Sequence, residues 1–234
     1  MKEFGIKALS FGPLYPAADQ DFPVCAEREQ RIDHNKDVPD LCRASGVQPG
    51  DVVIDCGGFI GDTAYAFCKA GAHVIVYEPF LDSFTCLLYN TRDLPVKAFN
   101  APVGNGESVQ LVYECPGYNH GMRRVRVVPD GTPGSIRTHK MDDLIGQKLL
   151  HGIDLNRLKL IKIDVEGFEI PAMLGARGLI GIYKPILYVE HYVDGQRNLG
   201  YTPQQLIDTI DSLGYSREMW GAPPRWDWFC RPKQ

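Results

Sequence analysis

Apolar positions along the chain switch between two periods. VVID (52–55) is a short apolar run closed by an acid, as a buried strand reads. GDTAYAFCKAGA (61–72) places Ala64, Phe67 and Cys68 at helical spacing, with Gly71 as a stop. HVIVYE (73–78) predicts a second strand. LDSFTCLLYN (81–90) predicts a helix with Phe84, Leu87 and Leu88 on one face. VKAFNAPV (96–103) predicts a third strand. The rhythm pauses over 104–135, where SVQLVYE and RRVRVVP predict an inserted antiparallel hairpin around the loop CPGYNHGM.

It resumes with LKLIKID (158–164) as a strand and FEIPAMLGA (168–176) as a helix whose apolar face is Ile170, Met173 and Leu174. PILYVE (185–190) is the next strand. Thr202, Pro203 and Gln205 together open a helix as N-cap, first-turn proline and capping-box partner, with Leu206, Ile207, Ile210 and Leu213 facing inward and Gly214 ending it. YSREMW and WDWFC predict two strands joined through Gly221-Ala-Pro-Pro. Strand–helix alternation of this kind predicts an α/β fold with a parallel sheet and right-handed crossovers. Residues 1–45 are broken by Pro13, Pro16, Pro23 and Pro39 and read as an N-terminal extension with a short helix near 38–45. Residues 46–234 read as one domain.

Composition narrows this only a little. A chain of 234 residues with 44% hydrophobic and 23% charged residues fits one soluble domain. A net charge of −4 argues against a broad nucleic-acid surface. The apolar runs are far short of the ~20 residues that span a bilayer. Seven scattered cysteines without a C-x-x-C pair predict reduced thiols rather than a disulfide framework or zinc site, and so a cytoplasmic protein.

The stretch DCGGFIGD (55–62) follows the first strand of the alternation. Gly57, Gly58 and Gly61 there permit close approach of a ligand to the backbone, at the sheet edge where nucleosides bind. Glu78 closes the next strand 21 positions after Gly57, the spacing of a ribose-binding acid. The dinucleotide fingerprint fails at Cys56, and Asp55 would repel a pyrophosphate. A carboxylate at the strand tip favours instead a ligand carrying a sulfonium and an ammonium, S-adenosylmethionine. An NAD-dependent oxidoreductase and a non-catalytic cofactor-binding subunit are the alternatives.

The segments VVIDCGGFIGDTAYAFCKAGAHVIVYEPF, IRTHKMDDLI and LKLIKIDVEGFEIPAMLGA resemble the FkbM family of S-adenosylmethionine-dependent methyltransferases. The family shows D-x-G-x-x-x-G, a following E-P, T-x-x-L-D-D-L, and K-x-D-x-E-G-x-E. Asp55, Gly57, Gly61, Glu78, Pro79, Thr138, Asp142, Asp143, Lys162, Asp164, Glu166, Gly167 and Glu169 occupy those positions. Met141 stands where the family usually has Leu, and Gly58 where Ala is common. The resemblance covers roughly residues 50–230. It implies a Rossmann-like class I methyltransferase: a mostly parallel seven-stranded sheet with helices on both faces and a terminal antiparallel hairpin. It also implies methyl transfer to oxygen, on a hydroxyl of a small molecule or saccharide; a homo-oligomer is compatible with it. The acidic balance predicts no nucleic-acid partner and the short apolar runs no membrane, with a nucleic-acid methyltransferase served by Arg123, Arg124 and Arg126 as the less favoured alternative.

The strand order of such a fold brings Asp164, Glu166, Glu190 and His191 to the rim beside the cofactor. His191 is the first candidate for general base. Asp164 and Glu166 are candidates for holding the acceptor, and Asp55, Gly57, Gly58, Gly61, Glu78, Asn100 and Asp164 for binding the cofactor, with Asn100 directed at the adenine. A divalent cation on Asp164 and Glu166 is an alternative not favoured, because a hydrogen-bonded D-V-E-G turn explains the same residues; no metal ligand is assigned. Glu169 reads as a structural acid in a helix's first turn, Lys162 as the partner of an acid, and Asn90 as a helix cap. Arg124 and Arg126 read as a half-solvated strand. Tyr118, Asn119 and His120 lie in a glycine-flanked loop and read as an exposed turn. Trp220, Trp226 and Trp228 read as packing residues.

Overall fold

The computed structural model describes residues 5–8, 14–17, 37–113, 123–146, 152–222 and 225–233. In chain order these form β1 (Gly5–Ala8), β2 (Leu14–Ala17), α1 (Asp37–Ser45), β3 (Val52–Cys56), α2 (Asp62–Lys69), β4 (His73–Tyr77), α3 (Leu81–Asn90), β5 (Val96–Phe99), β6 (Ser108–Val112), β7 (Arg124–Val127), β8 (Ile136–Arg137), β9 (Leu158–Ile163), α4 (Glu169–Leu174), α5 (Arg177–Tyr183), β10 (Ile186–Val189), α6 (Val193–Asn198), α7 (Pro203–Ser212), β11 (Tyr215–Ala222) and β12 (Arg225–Pro232). Single 3₁₀ turns cover Met141–Leu144 and Leu155–Arg157.

The main sheet has the order β11-β12-β10-β9-β3-β4-β5. β10, β9, β3, β4 and β5 run parallel, and β12 is antiparallel to both β10 and β11. This is the expected Rossmann-like layout, with the terminal hairpin closing one edge. Strand order reverses between β3 and β9, because the chain leaves β3 toward β4 on one side and later returns to β9 on the other. The switch lies at the centre of the sheet.

Side chains alternate between two cores, as the period-2 pleat requires. On one face Val53, Val74, Val76 and Leu160 pack with Leu41, Phe67 and Leu87 from α1, α2 and α3. On the other, Ile54, Ile75, Ile161 and Val189 pack with Met173, Leu179, Leu206 and Ile210 from α4, α5 and α7. All five residues of β3 are buried. That is why the sequence shows it as an uninterrupted run rather than an alternation.

Local signals explain several boundaries. Thr202 Oγ1 accepts from Gln205 N at 3.2 Å and Gln205 Oε1 accepts from Thr202 N at 2.8 Å, so the predicted capping box starts α7. Four details differ from the sequence reading. β5 ends at Phe99; beyond it Val103 makes only a single bridge to His139. The helix expected over 168–176 ends at Leu174, and α5 follows. The break falls at Gly175, where a Cβ would lie 1.9 Å from Gly104 O, and Asp142 takes the N–H groups of Gly178 and Leu179 at 3.0 and 2.7 Å to start the new helix. In α3 the buried face is Ser83, Cys86, Leu87 and Asn90, while Leu88 is exposed. The inserted strands β6 and β7 pair antiparallel as expected, and β8 adds a third strand beside β6. The loop residues Tyr118, Asn119 and His120 and the turn residues 223 and 224 lie outside the described residues.

Candidate active site

Backbone hydrogen bonds lace the carboxyl ends of the parallel strands together. Glu190 N donates to Ile163 O (2.9 Å), Asp164 N to Cys56 O (3.1 Å), Gly57 N to Tyr77 O (3.0 Å) and Glu78 N to Phe99 O (3.1 Å). One edge therefore carries Asp55, Gly57, Gly58, Gly61, Glu78, Asn100, Asp164, Glu166, Glu190 and His191, at the position where open α/β sheets bind ligands.

The bend after β3 is sterically specified. Gly57 has φ 86°, and a Cβ on it would lie 1.8 Å from Asp164 O. Gly58 is buried, and a Cβ there would meet Val76 Cγ1 at 2.1 Å, which is a packing reason for glycine at a position where alanine is common. Gly61, with φ 84°, is the N-cap of α2. Phe59 also takes a positive φ of 46°, and its N–H donates to Glu78 Oε2 at 2.9 Å. Asn90 leaves its helix to donate to Ile60 O at 2.7 Å. It fastens the bend rather than capping α3, which corrects the sequence reading.

Glu78 is 4% exposed. Its second oxygen accepts from Phe80 N at 2.9 Å. Burial pushes its carboxyl up to about 8, against the pull of those two N–H donors and of Arg123. Each oxygen keeps further acceptor capacity, because a carboxylate offers about four lone-pair directions. Asn100 donates to Glu78 O (2.9 Å) and Pro79 O (3.1 Å), which makes it the clasp of the loop after β4.

Asp55 lies beneath the bend, fully buried. It stands opposite Lys162 in the β3–β9 register, and its Oδ1 meets Lys162 Nζ at 3.2 Å. Lys162 Nζ also reaches Asp164 Oδ2 at 3.0 Å. Burial pushes Asp55 up to about 6 despite the lysine, whereas the lysine rises well above its ordinary value because two carboxylates outweigh its burial. The predicted acid partner of Lys162 is thus a pair of acids, and the Asp55 carboxylate faces this ammonium.

Toward β10 the rim is acidic. Glu166 has φ 57°. Its carboxyl is pushed up to about 9 by burial and then by Asp164 and Glu169. Glu190 rises well above its ordinary value through burial and the same crowd of acids. Glu169 is fully buried, accepting from Gly167 N (2.8 Å) and Gln196 Nε2 (3.2 Å), and sits near 7. One oxygen each of Asp164, Glu166 and Glu190 lies within 4.8 Å of the other two. His191 packs against Trp226 (5.3 Å between ring centres) and Trp228 (5.6 Å), and its backbone N–H donates to Asp227 Oδ1 at 3.1 Å. Burial lowers its imidazole while Asp227 works the other way, so the ring is neutral at pH 7.

Sequence reasoning missed two features. Arg123, 6% exposed, grips Asp82 with both nitrogens at 2.6 and 2.7 Å and lies over the rings of Phe80 and Tyr113. It fastens the inserted sheet beside Glu78. Tyr188 OH donates to Asp227 Oδ2 at 2.5 Å, which fixes the acid behind His191. Both pairs join residues about 40 positions apart, beyond any local pattern.

No helix among the described residues is long and apolar enough to cross a membrane. No curated protein sequence matches the chain. Among solved structures it is similar to the methyltransferase FkbM of Methylobacillus flagellatus KT, with 20% identity and a TM-score of 0.51 over 77% of this chain. This chain spans 43% of that protein. A putative O-methyltransferase from Klebsiella pneumoniae shares 12% identity over 93% of this chain and 84% of its own, with a TM-score of 0.49. A magnesium protoporphyrin IX methyltransferase from Synechocystis PCC 6803, solved with bound SAH, shares 12% identity over 93% and 90%, with a TM-score of 0.47. The sequence model of the methyltransferase FkbM domain matches residues 55–217, well over half the chain. The glycine bend, the acidic rim and the strands β4 to β10 fall within that span, and the protein belongs to the FkbM methyltransferase family.

Proposed function

We propose that the protein uses S-adenosylmethionine to methylate a hydroxyl of a small molecule or saccharide. The observation that carries this reading is Glu78. Its carboxyl group is locked by Phe59 N and Phe80 N at the tip of β4, across a bend whose glycines Gly57 and Gly58 pack against Asp164 O and Val76. An acid so placed accepts the two ribose hydroxyls, and Asn100, whose amide nitrogen is held by Glu78 O and Pro79 O, has its Oδ1 to offer the adenine. When bound, S-adenosylmethionine supplies an electrophilic methyl group on a sulfonium.

The chain's own residues do the rest. Asp55 and Asp164 place negative charge, moderated by Lys162, near the cationic end of the cofactor. Asp164 and Glu166 hold the acceptor by its hydroxyls. His191 is neutral at pH 7 and takes the proton as the oxygen attacks. Holding the reacting atoms in line is itself a large part of the rate. An oxygen acceptor suits this rim because a general base stands among hydrogen-bond acceptors.

Calorimetry with S-adenosylhomocysteine tests the cofactor half; absence of binding at millimolar ligand by folded protein defeats it. The catalytic half is tested once an acceptor is found. His191→Gln should then lower kcat by roughly 10²–10⁴ with cofactor affinity unchanged. A chain that binds cofactor but transfers methyl to no hydroxyl acceptor is the non-catalytic subunit instead. Membership of a methyltransferase family leaves the oxidoreductase alternative without support.

A further inference from the structure

Asp55, Asp164, Glu166, Glu169 and Glu190 act on one another in this part of the molecule. Two of them are accounted for: Asp55 by Lys162, and Glu169 by Gly167 N and Gln196. Asp164 shares Lys162 through one oxygen. The oxygens of Asp55 also accept no hydrogen bond, but they face an ammonium; Glu190 has no ion pair among the described residues. The residue keeps some surface, but its Oε2 is sealed from solvent and accepts no hydrogen bond among the described residues. A buried carboxylate oxygen without a donor or a cation is costly.

We propose that Asp164, Glu166 and Glu190 form a binding site for a divalent, oxygen-preferring cation at the tips of β9 and β10. The D-V-E-G turn alone supplies two acids close in sequence, which a turn explains. The third, Glu190, arrives from a neighbouring strand, and one of its two oxygens, Oε2, is sealed without a partner. Three carboxylates without thiol or imidazole select a hard ion. Oxygens about 2.4 Å from a calcium ion stand about 3.4 Å apart when adjacent and about 4.8 Å apart when opposite, so three oxygens that all lie within 4.8 Å of one another can close on one such ion. Magnesium or manganese would draw them slightly closer. The cations that act on Glu166 from the surrounding elements are Lys162 of β9 and Arg124 of β7. Lys162 is already divided between Asp55 and Asp164. The use of the ion rests on the methyl-transfer reading. Beside His191 it would chelate an acceptor presenting two neighbouring oxygens, as a vicinal diol does.

The test is Mn²⁺ titrated into the full chain and followed by loss of the free-ion paramagnetic resonance signal, with S-adenosylhomocysteine titrated into the same protein by calorimetry. One Mn²⁺ should bind per chain. Glu190→Gln and Glu166→Gln should each weaken it by roughly tenfold or more, leaving S-adenosylhomocysteine affinity within about twofold. If Glu190→Gln does not fold, Glu166→Gln on its partly exposed side chain carries the test. No Mn²⁺ uptake at millimolar concentration overturns the proposal. So does uptake that neither variant weakens. Loss of S-adenosylhomocysteine affinity in the variants without any Mn²⁺ binding overturns it too, and assigns the cluster to the cofactor's ammonium. Mn²⁺ binding without S-adenosylhomocysteine binding would leave the cation site standing and sink the methyl-transfer reading alone.

Discussion

Replacing Lys162 with methionine should be among the most damaging single changes in the molecule, and its cost should depend on pH. Lys162 is 7% exposed and Asp55 is fully buried, 3.2 Å from it. At an effective dielectric of about 20 a pair at that distance attracts by roughly 5 kcal/mol. Breaking a buried pair by removing one partner costs ~3–5 kcal/mol, because the other charge is left uncompensated. The second contact, to Asp164, adds little, since that side chain is 37% exposed and the pair is screened by solvent. The sign with pH follows from Asp55. Its folded carboxyl, near 6, lies above its ordinary value of 3.8, so its contribution to stability is present below 3.8 and lost as pH rises through 6. Without the lysine, Asp55 rises further and its ionisation is penalised more. Urea denaturation should therefore show the variant losing several kcal/mol near pH 8 and distinctly less near pH 5, where Asp55 protonates. Adding Asp55→Asn should recover part of the loss near pH 8. A loss below ~1 kcal/mol, or one equal at the two pH values, would refute the claim that this pair holds the two central strands.

Gly57→Ala should cost about 3 kcal/mol or more by urea denaturation, because it combines a positive φ with a Cβ 1.8 Å from Asp164 O. Asp142→Ala, which frees the N–H groups of Gly178 and Leu179, should cost about 1–2 kcal/mol by the same assay without changing cofactor affinity. Glu78→Ala should weaken S-adenosylhomocysteine by ~1–3 kcal/mol in calorimetry. Glu78 itself, near 8 when folded against an ordinary 4.5, stabilises the unliganded fold below pH 4.5 and ceases to as pH rises through 8; Arg123 and Asp82 are the charges that face it. A cationic cofactor favours its ionised form, so S-adenosylmethionine binding near pH 7 should release a proton. The release would be measured as a heat that varies with the ionisation enthalpy of the buffer, and it should be smaller for S-adenosylhomocysteine, which lacks the sulfonium charge.

The central strands were legible because burial on both faces writes a plain apolar run, and because each run closes on an acid at the carboxyl edge. β3 and β4 read this way; β9, with Lys159 and Lys162, and β10, buried at alternate positions, share only the closing acid. The start of α7 was legible because Thr202, Pro203 and Gln205 act within one turn. What the sequence hid was whatever depends on distant partners. Asp142 looks like a member of an acidic pair, yet its work is to start a helix 36 positions later. Asn90 sits at the end of α3, where a cap is the local expectation, and instead spends its amide on Ile60 O. Arg123 sits in a run of basic residues that nucleic acid could use; Asp82, Phe80 and Tyr113 make it a buried tie. Glu190 was placed on the rim by strand order alone, but that one of its oxygens is sealed without a donor depends on side-chain packing that no pattern encodes.

The residues that carry the family resemblance divide by where their side chains go. Asp55 and Lys162 face each other between strands, Glu169 is buried against Gln196, Asp142 starts α5, and Thr138 Oγ1 donates to Glu107 while accepting from Gly106 N. These groups build the sheet and its bend. Of the same pattern, Glu78 and the D-V-E-G acids reach the carboxyl edge with acceptor capacity left over. The resemblance therefore speaks for the cofactor half of the site and for the scaffold, and much less for the acceptor. The acceptor half adds to Asp164 and Glu166 groups that lie outside the pattern: His191 with Trp226 and Trp228 on one side, and on the other the inserted sheet, which places Arg123 beside Glu78 and Arg124 within the field of Glu166. The insertion thus touches both ends of the edge at once. Exchanging residues 104–135 should accordingly alter which acceptor is taken more than it alters cofactor affinity, provided Arg123 and Asp82 are kept as a pair.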